Sequence, residues 1–90
     1  MEIERLSFQI TPEDRVEDFI DADKKVWNPW LQQQKGFLRK TYQRYPGGRL
    51  NILIFWARKE DWDRASKDSS IPAIDVMLQS QFLGVYQRIT

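Results

Sequence analysis

The stretch Leu50-Asn51-Ile52-Leu53-Ile54-Phe55-Trp56-Ala57 decides the fold. In an extended strand, alternation puts Leu50, Ile52, Ile54 and Trp56 on one side. Leu53, Phe55 and Ala57, with Asn51, fall on the other. Both sides are apolar, and a strand apolar on both sides must be covered on both sides. Immediately before it, Pro46-Gly47-Gly48 reads as a turn. Phe37 to Tyr45, before the turn, reads as a second strand, polar on both faces apart from Phe37, Leu38 and Tyr42, which suits a sheet edge. The two strands form a hairpin.

On the N-terminal side, Leu6, Phe8 and Ile10 alternate with Arg5, Ser7 and Gln9 from Ile3 to Ile10, the pattern of a half-buried strand. Thr11-Pro12-Glu13-Asp14 marks a helix start, with Thr11 as cap and two acids in the first turn. Val16, Phe19, Ile20, Val26, Trp27, Trp30 and Leu31 then make one helical stripe, with Asp23 near its middle. Pro29 lies on the polar face of that helix, where its ring is expected to kink it. Asn28 is expected to face solvent. The helix is expected to end near Gln34, before Gly36.

On the C-terminal side, Glu60-Asp61-Trp62 opens a second helix, Asp68-Ser69-Ser70 breaks it and Pro72 restarts it. Gly84 ends it, and Val85 to Ile89 is a short last strand. The order β-α-β-β-α-β predicts one α+β domain over residues 1–90 with a ferredoxin-like four-stranded antiparallel sheet. The helices cover one face of that sheet. A second copy of the sheet is the simplest cover for the other, which predicts a homodimer with a cavity between its two sheets.

Composition narrows the chemistry. The 90 residues contain no Cys and no His. This removes disulfides, a thiolate or imidazole metal site, an axial haem His and Ser-His-Asp catalysis. No secretory leader is read at Met1-Glu2-Ile3-Glu4-Arg5, and no apolar run approaches the roughly 20 residues of a membrane span, so a cytoplasmic protein with no membrane partner is expected. Net charge is +1, which gives no global pull toward nucleic acid. The strand order is also that of RNA-recognition domains, but their Arg/Lys-Gly-aromatic signature is absent. Charge is unevenly spread. Acids crowd residues 1–23 and bases crowd residues 35–59, which reads either as two faces that attract each other or as an anion-binding hairpin.

Three runs carry a resemblance: Asp23-x-x-Val26-Trp27-x-Pro29-x-Leu31, Gln34-x-Gly36-Phe37, and Ile54-x-Trp56-x-Arg58-x-Glu60-x-Trp62. Together they resemble the dimeric α+β barrel superfamily, near the antibiotic biosynthesis monooxygenase-like proteins, and most of all a small cyanobacterial set whose function is uncharacterised. The resemblance implies a homodimer whose facing sheets enclose a cavity. It also implies oxidation of an aromatic substrate without metal or flavin, so no cofactor. Trp56 sits where the family's strand-three Trp falls. Other members degrade haem with a ligating His, which this chain lacks.

Asp23 stands out because a carboxylate in an apolar stripe costs several kcal/mol unless it is paired or protonated. It reads either as a structural acid accepting from an indole, a Tyr hydroxyl or an Arg, or as a base of raised pKa facing the cavity. Asp23 and Trp56 are the candidate catalytic residues. Trp27, Trp30 and Trp62 are candidate walls of an aromatic pocket, with packing as the other reading. Asn51 and Arg58, with Arg5 and Gln9, could hold a substrate anion; ordinary surface or interface roles are the other reading. Tyr42, Tyr45 and Tyr86 read as sheet-surface or interface residues. The functional expectation is a cofactor-independent oxygenase of an aromatic or hydrophobic small molecule; the alternative is a non-catalytic dimeric binding module.

Overall fold

The computed structural model describes residues 1–89. Strand β1 spans Glu2–Ile10, helix α1 Val16–Gln32, β2 Phe37–Tyr45, β3 Arg49–Trp56, α2 Lys59–Ser66, α3 Ile71–Gln79 and β4 Tyr86–Arg88. The sheet order is β2-β3-β1-β4, antiparallel throughout. This is the α+β plan expected. The break at Asp68-Ser69-Ser70 falls between α2 and α3 as read. No helix among the described residues is long and apolar enough to cross a membrane.

The cap of the first helix differs from expectation. Thr11 does not cap it; its backbone N–H bonds Val85 O at 2.7 Å, and a short 3₁₀ turn over Glu13–Arg15 precedes α1. Helix α1 runs through Pro29 and stops at Gln32. Gly36 then turns the chain with φ 85°, a conformation that suits glycine. A Cβ at this position would overlap the Asp61 carboxylate, so the turn is also too tight for a side chain.

Register fixes the faces of the sheet. Glu4, Leu6 and Phe8 of β1 pair with Ile54, Ile52 and Leu50 of β3, and these residues look toward the helices. So do Lys40, Tyr42 and Arg44 of β2, which pair with the same three β3 residues. Phe8, Ile10, Phe19, Ile20, Leu31, Leu50, Ile52 and Trp56 form the buried core. On the opposite face, Leu53 and Phe55 are each only 7% exposed within a single chain. Over Phe55 a side chain of β2 supplies part of the cover: the Arg39 guanidinium lies 4.3 Å from the centre of the ring. The two-sided strand therefore finds much of its second cover inside one subunit.

The uneven charge resolves within the chain. Arg44 grips Glu17 through both guanidinium and carboxylate ends, Lys40 pairs with Asp23, and the Gly47 N–H donates to Glu13 at 2.9 Å. Acids of α1 thus face bases of β2. The exposed Arg44–Glu17 pair contributes no more than about 1 kcal/mol.

Candidate functional site

A cavity of about 390 Å³ lies between the helices and the helix-facing side of the sheet. The expected chamber lay between two facing sheets; this space is on the other side of the sheet and belongs to one chain. The alternation of β3 told that both faces are apolar, and gave no sign of which face holds space.

Four indoles wall the cavity: Trp27 and Trp30 from α1, Trp56 from β3 and Trp62 from α2. Each is locked in its own way. Trp56 is 1% exposed, and its Nε1–H donates to Glu4 Oε1 at 3.1 Å. Trp30 donates to Asp68 Oδ2 at 3.0 Å and meets Trp27 edge-on at 5.6 Å between centroids. Asp68 also takes the Ser70 hydroxyl at 2.6 Å and the Ser70 N–H at 2.8 Å, and these bonds hold its carboxyl below the usual carboxylate range. The helix-breaking Asp68-Ser69-Ser70 therefore also anchors an indole to the α2–α3 joint.

The polar end of the cavity is built from α1 and β2. Asp23, 4% exposed, accepts from Tyr42 Oη at 2.6 Å and from Lys40 Nζ through the same oxygen, Oδ2. The structural-acid reading with a Tyr hydroxyl donor is what the geometry shows, with a lysine added. Lys40 also donates to Asn28 Oδ1 at 3.4 Å, so Asn28 is turned inward and half-buried rather than facing solvent. Burial pushes the Lys40 ammonium below its ordinary value, while Asp23 and Glu4 pull it back up. Burial first, then the Asp23 charge, raises the Tyr42 hydroxyl far above its ordinary value. Glu4 is raised by burial against the lowering effects of the Trp56 bond, Arg88 and Lys40.

Lining the rest of the cavity are Asp75, Tyr86 and Arg88 among others. The Tyr86 hydroxyl is buried and has no hydrogen-bond partner among the described residues. Such a donor costs free energy until something fills it. Tyr42 and Tyr86 are thus inward-facing, not sheet-surface residues; Tyr45 is exposed as read.

The structure brings together Asp23, Trp56, Trp27, Trp30 and Trp62. It does not bring Asn51 or Arg58 to them. Asn51 pairs with Ser7 and Gln43 on the sheet's opposite face, which also carries Arg5 and Gln9. Arg58 stands at the start of α2, where it donates to the buried Asp61 together with Arg64, at 3.3 and 3.1 Å. Glu4 and Lys40 were missed. The signal for Glu4 was its parity with Leu6, Phe8 and Ile10, which aims it at the core. Lys40 shares parity with Tyr42, but an edge strand with polar residues on both faces hides such a position.

No family model matches the chain, and no curated protein does. Solved structures do. The cofactor-independent oxygenase SnoaB from Streptomyces nogalater aligns with a TM-score of 0.72 at 13% identity, covering 97% of this chain and 84% of its own. A Streptomyces coelicolor monooxygenase, solved with the ligand nanaomycin D, aligns with a TM-score of 0.74 at 14% identity over 97% of this chain and 81% of its own. A dimeric ferredoxin-like protein from an uncultured marine organism aligns with a TM-score of 0.65 at 14% identity, covering 97% and 89%. At such identities the likeness establishes the architecture: the chain has the ferredoxin-like α+β fold of the antibiotic biosynthesis monooxygenase-like proteins.

Proposed function

We propose that the protein is a homodimeric, cofactor-independent oxygenase that holds a flat aromatic substrate in the cavity beneath its helices. The observation that carries this reading is the cavity itself: about 390 Å³, walled by four indoles, with a charged cluster at one end. That volume sits at the small end of the range of ligand pockets and suits a compact fused-ring molecule. Indole faces and edges favour stacked or edge-on aromatic rings.

In such a reaction the substrate, once ionised at a ring hydroxyl, itself supplies the electron that reduces O₂. The residues then have three tasks. The indoles fix the ring and exclude water. Lys40, held by Asp23, supplies positive charge for the developing oxyanion. The Tyr86 hydroxyl offers an unused donor. A second copy of the chain is proposed to pack on the opposite sheet face around Leu53 and Phe55, as the resemblance implies.

A second reading keeps the fold and removes the chemistry: a dimeric binding module. The observation in its favour is that Asp23 and Trp56 already have protein partners. Oxygen-electrode measurements over a panel of quinols and hydroxylated naphthalenes separate the two. The oxygenase reading expects oxygen uptake that falls at least about tenfold in Trp56→Phe, roughly 1.4 kcal/mol of barrier. Binding of the same panel without uptake would leave the binding module.

A further inference from the structure

We propose that Glu4 is the proton acceptor of the cavity: it takes the proton of a phenolic hydroxyl on the bound aromatic and leaves the oxyanion beside Lys40. The inference rests on the reading of the cavity as an aromatic-ligand site.

The geometry separates the three cavity carboxylates. Asp23 is committed, since its Oδ2 takes both the Lys40 ammonium and the Tyr42 hydroxyl. Protonating it would strand Lys40 as a buried, unpaired cation. Asp75 is half-buried on α3 and accepts the Gln79 amide at 2.6 Å. Glu4 differs from both. It projects from β1 into the same row as Leu6 and Phe8, and the indole N–H of the fully buried Trp56 holds it through Oε1. A neutral donor fixes the carboxyl in place and favours its ionised form less than a cationic partner would.

The charged and titratable groups facing this part of the cavity are Lys40 from β2, Tyr86 and Arg88 from β4, Asp23 from α1 and Asp75 from α3. The Trp56 hydrogen bond first, then Arg88 and Lys40 from a distance, lower the pKa of Glu4, but less than burial raises it. Its proton affinity therefore moves toward that of a base useful near neutral pH. In the transfer the phenol O–H bond breaks and its electron pair stays on the phenol oxygen. The proton goes to the Glu4 carboxylate, so the net charge of the cavity is unchanged. Two anions side by side in this space would repel, and the transfer avoids that.

The test uses 4-nitrophenolate, supplied at a pH above the probe's own pKa, and titration calorimetry in two buffers of different ionisation heat. A bound phenolate forces Glu4 to protonate, so wild type is expected to take up about one proton per probe bound. Glu4→Gln keeps an acceptor oxygen for the Trp56 indole. It is expected to bind the probe with no proton uptake. Binding to wild type without uptake overturns the proposal, with or without the variant. Equal uptake in both proteins also overturns it, because another carboxylate of the cavity would then be the acceptor. Absence of binding to both proteins instead sinks the aromatic-ligand reading on which it rests.

Discussion

Asp23→Asn is expected to destabilise the fold by about 3–5 kcal/mol, the usual cost of removing one member of a buried ion pair. Both side chains of the Asp23–Lys40 pair are only 6% exposed, so water does little to screen the loss. The variant leaves an amide oxygen for Tyr42 but strands the Lys40 charge. Removing that charge as well is expected to restore most of the stability, so Asp23→Asn/Lys40→Met should lie well above Asp23→Asn in a urea melt. The pH dependence has a definite sign. The folded-state pKa of Lys40 is below its ordinary 10.5 because of burial, and Asp23 is the first influence opposing the drop. In Asp23→Asn the folded protein therefore binds fewer protons than the unfolded chain at alkaline pH, and stability rises with pH toward 10.5. A deficit independent of pH, or a double variant no better than the single, would contradict the assigned pairing.

Trp56→Ala is expected to cost about 3–5 kcal/mol as well, for a different reason. Trp56 is among the largest fully buried side chains, and its ring meets Phe37 at 6.1 Å between centroids. Truncation deletes that contact, enlarges a cavity that already exists, and leaves Glu4 without its indole donor. Domains of this size hold only about 5–15 kcal/mol in all. A denaturation midpoint close to wild type would mean that the space around Trp56 collapses freely, and that the indole is not a rigid wall.

Much of the fold was legible because it is written in alternation and helical spacing. Leu50, Ile52, Ile54 and Trp56 share the core face as read, and Gly36, Gly47-Gly48 and Asp68-Ser69-Ser70 punctuate the chain where expected. The candidate site was half legible. The four tryptophans and Asp23 do converge, since an acid inside an apolar stripe must find partners in the core. Lys40 was hidden because its aliphatic stem and charged end give an edge strand the same pattern whether it points in or out. Asn51 shares parity with Leu53 and Phe55, which already placed it on the face away from the helices. The side of the sheet that holds the cavity depends on how high α1 and α3 ride above β1 and β3, a packing distance that no local pattern encodes.

The central claim is that an aromatic ligand binds beneath the helices of a single subunit. Titration of isotopically labelled protein with 4-nitrophenol, followed by NMR, tests it most directly. Saturable shifts of the four indole N–H signals are expected, while the Asn51 side-chain amide on the opposite sheet face stays in place. Movement of Asn51 and its neighbours Ser7 and Gln43, with the indole signals unchanged, would put the ligand on the opposite sheet face and contradict the account.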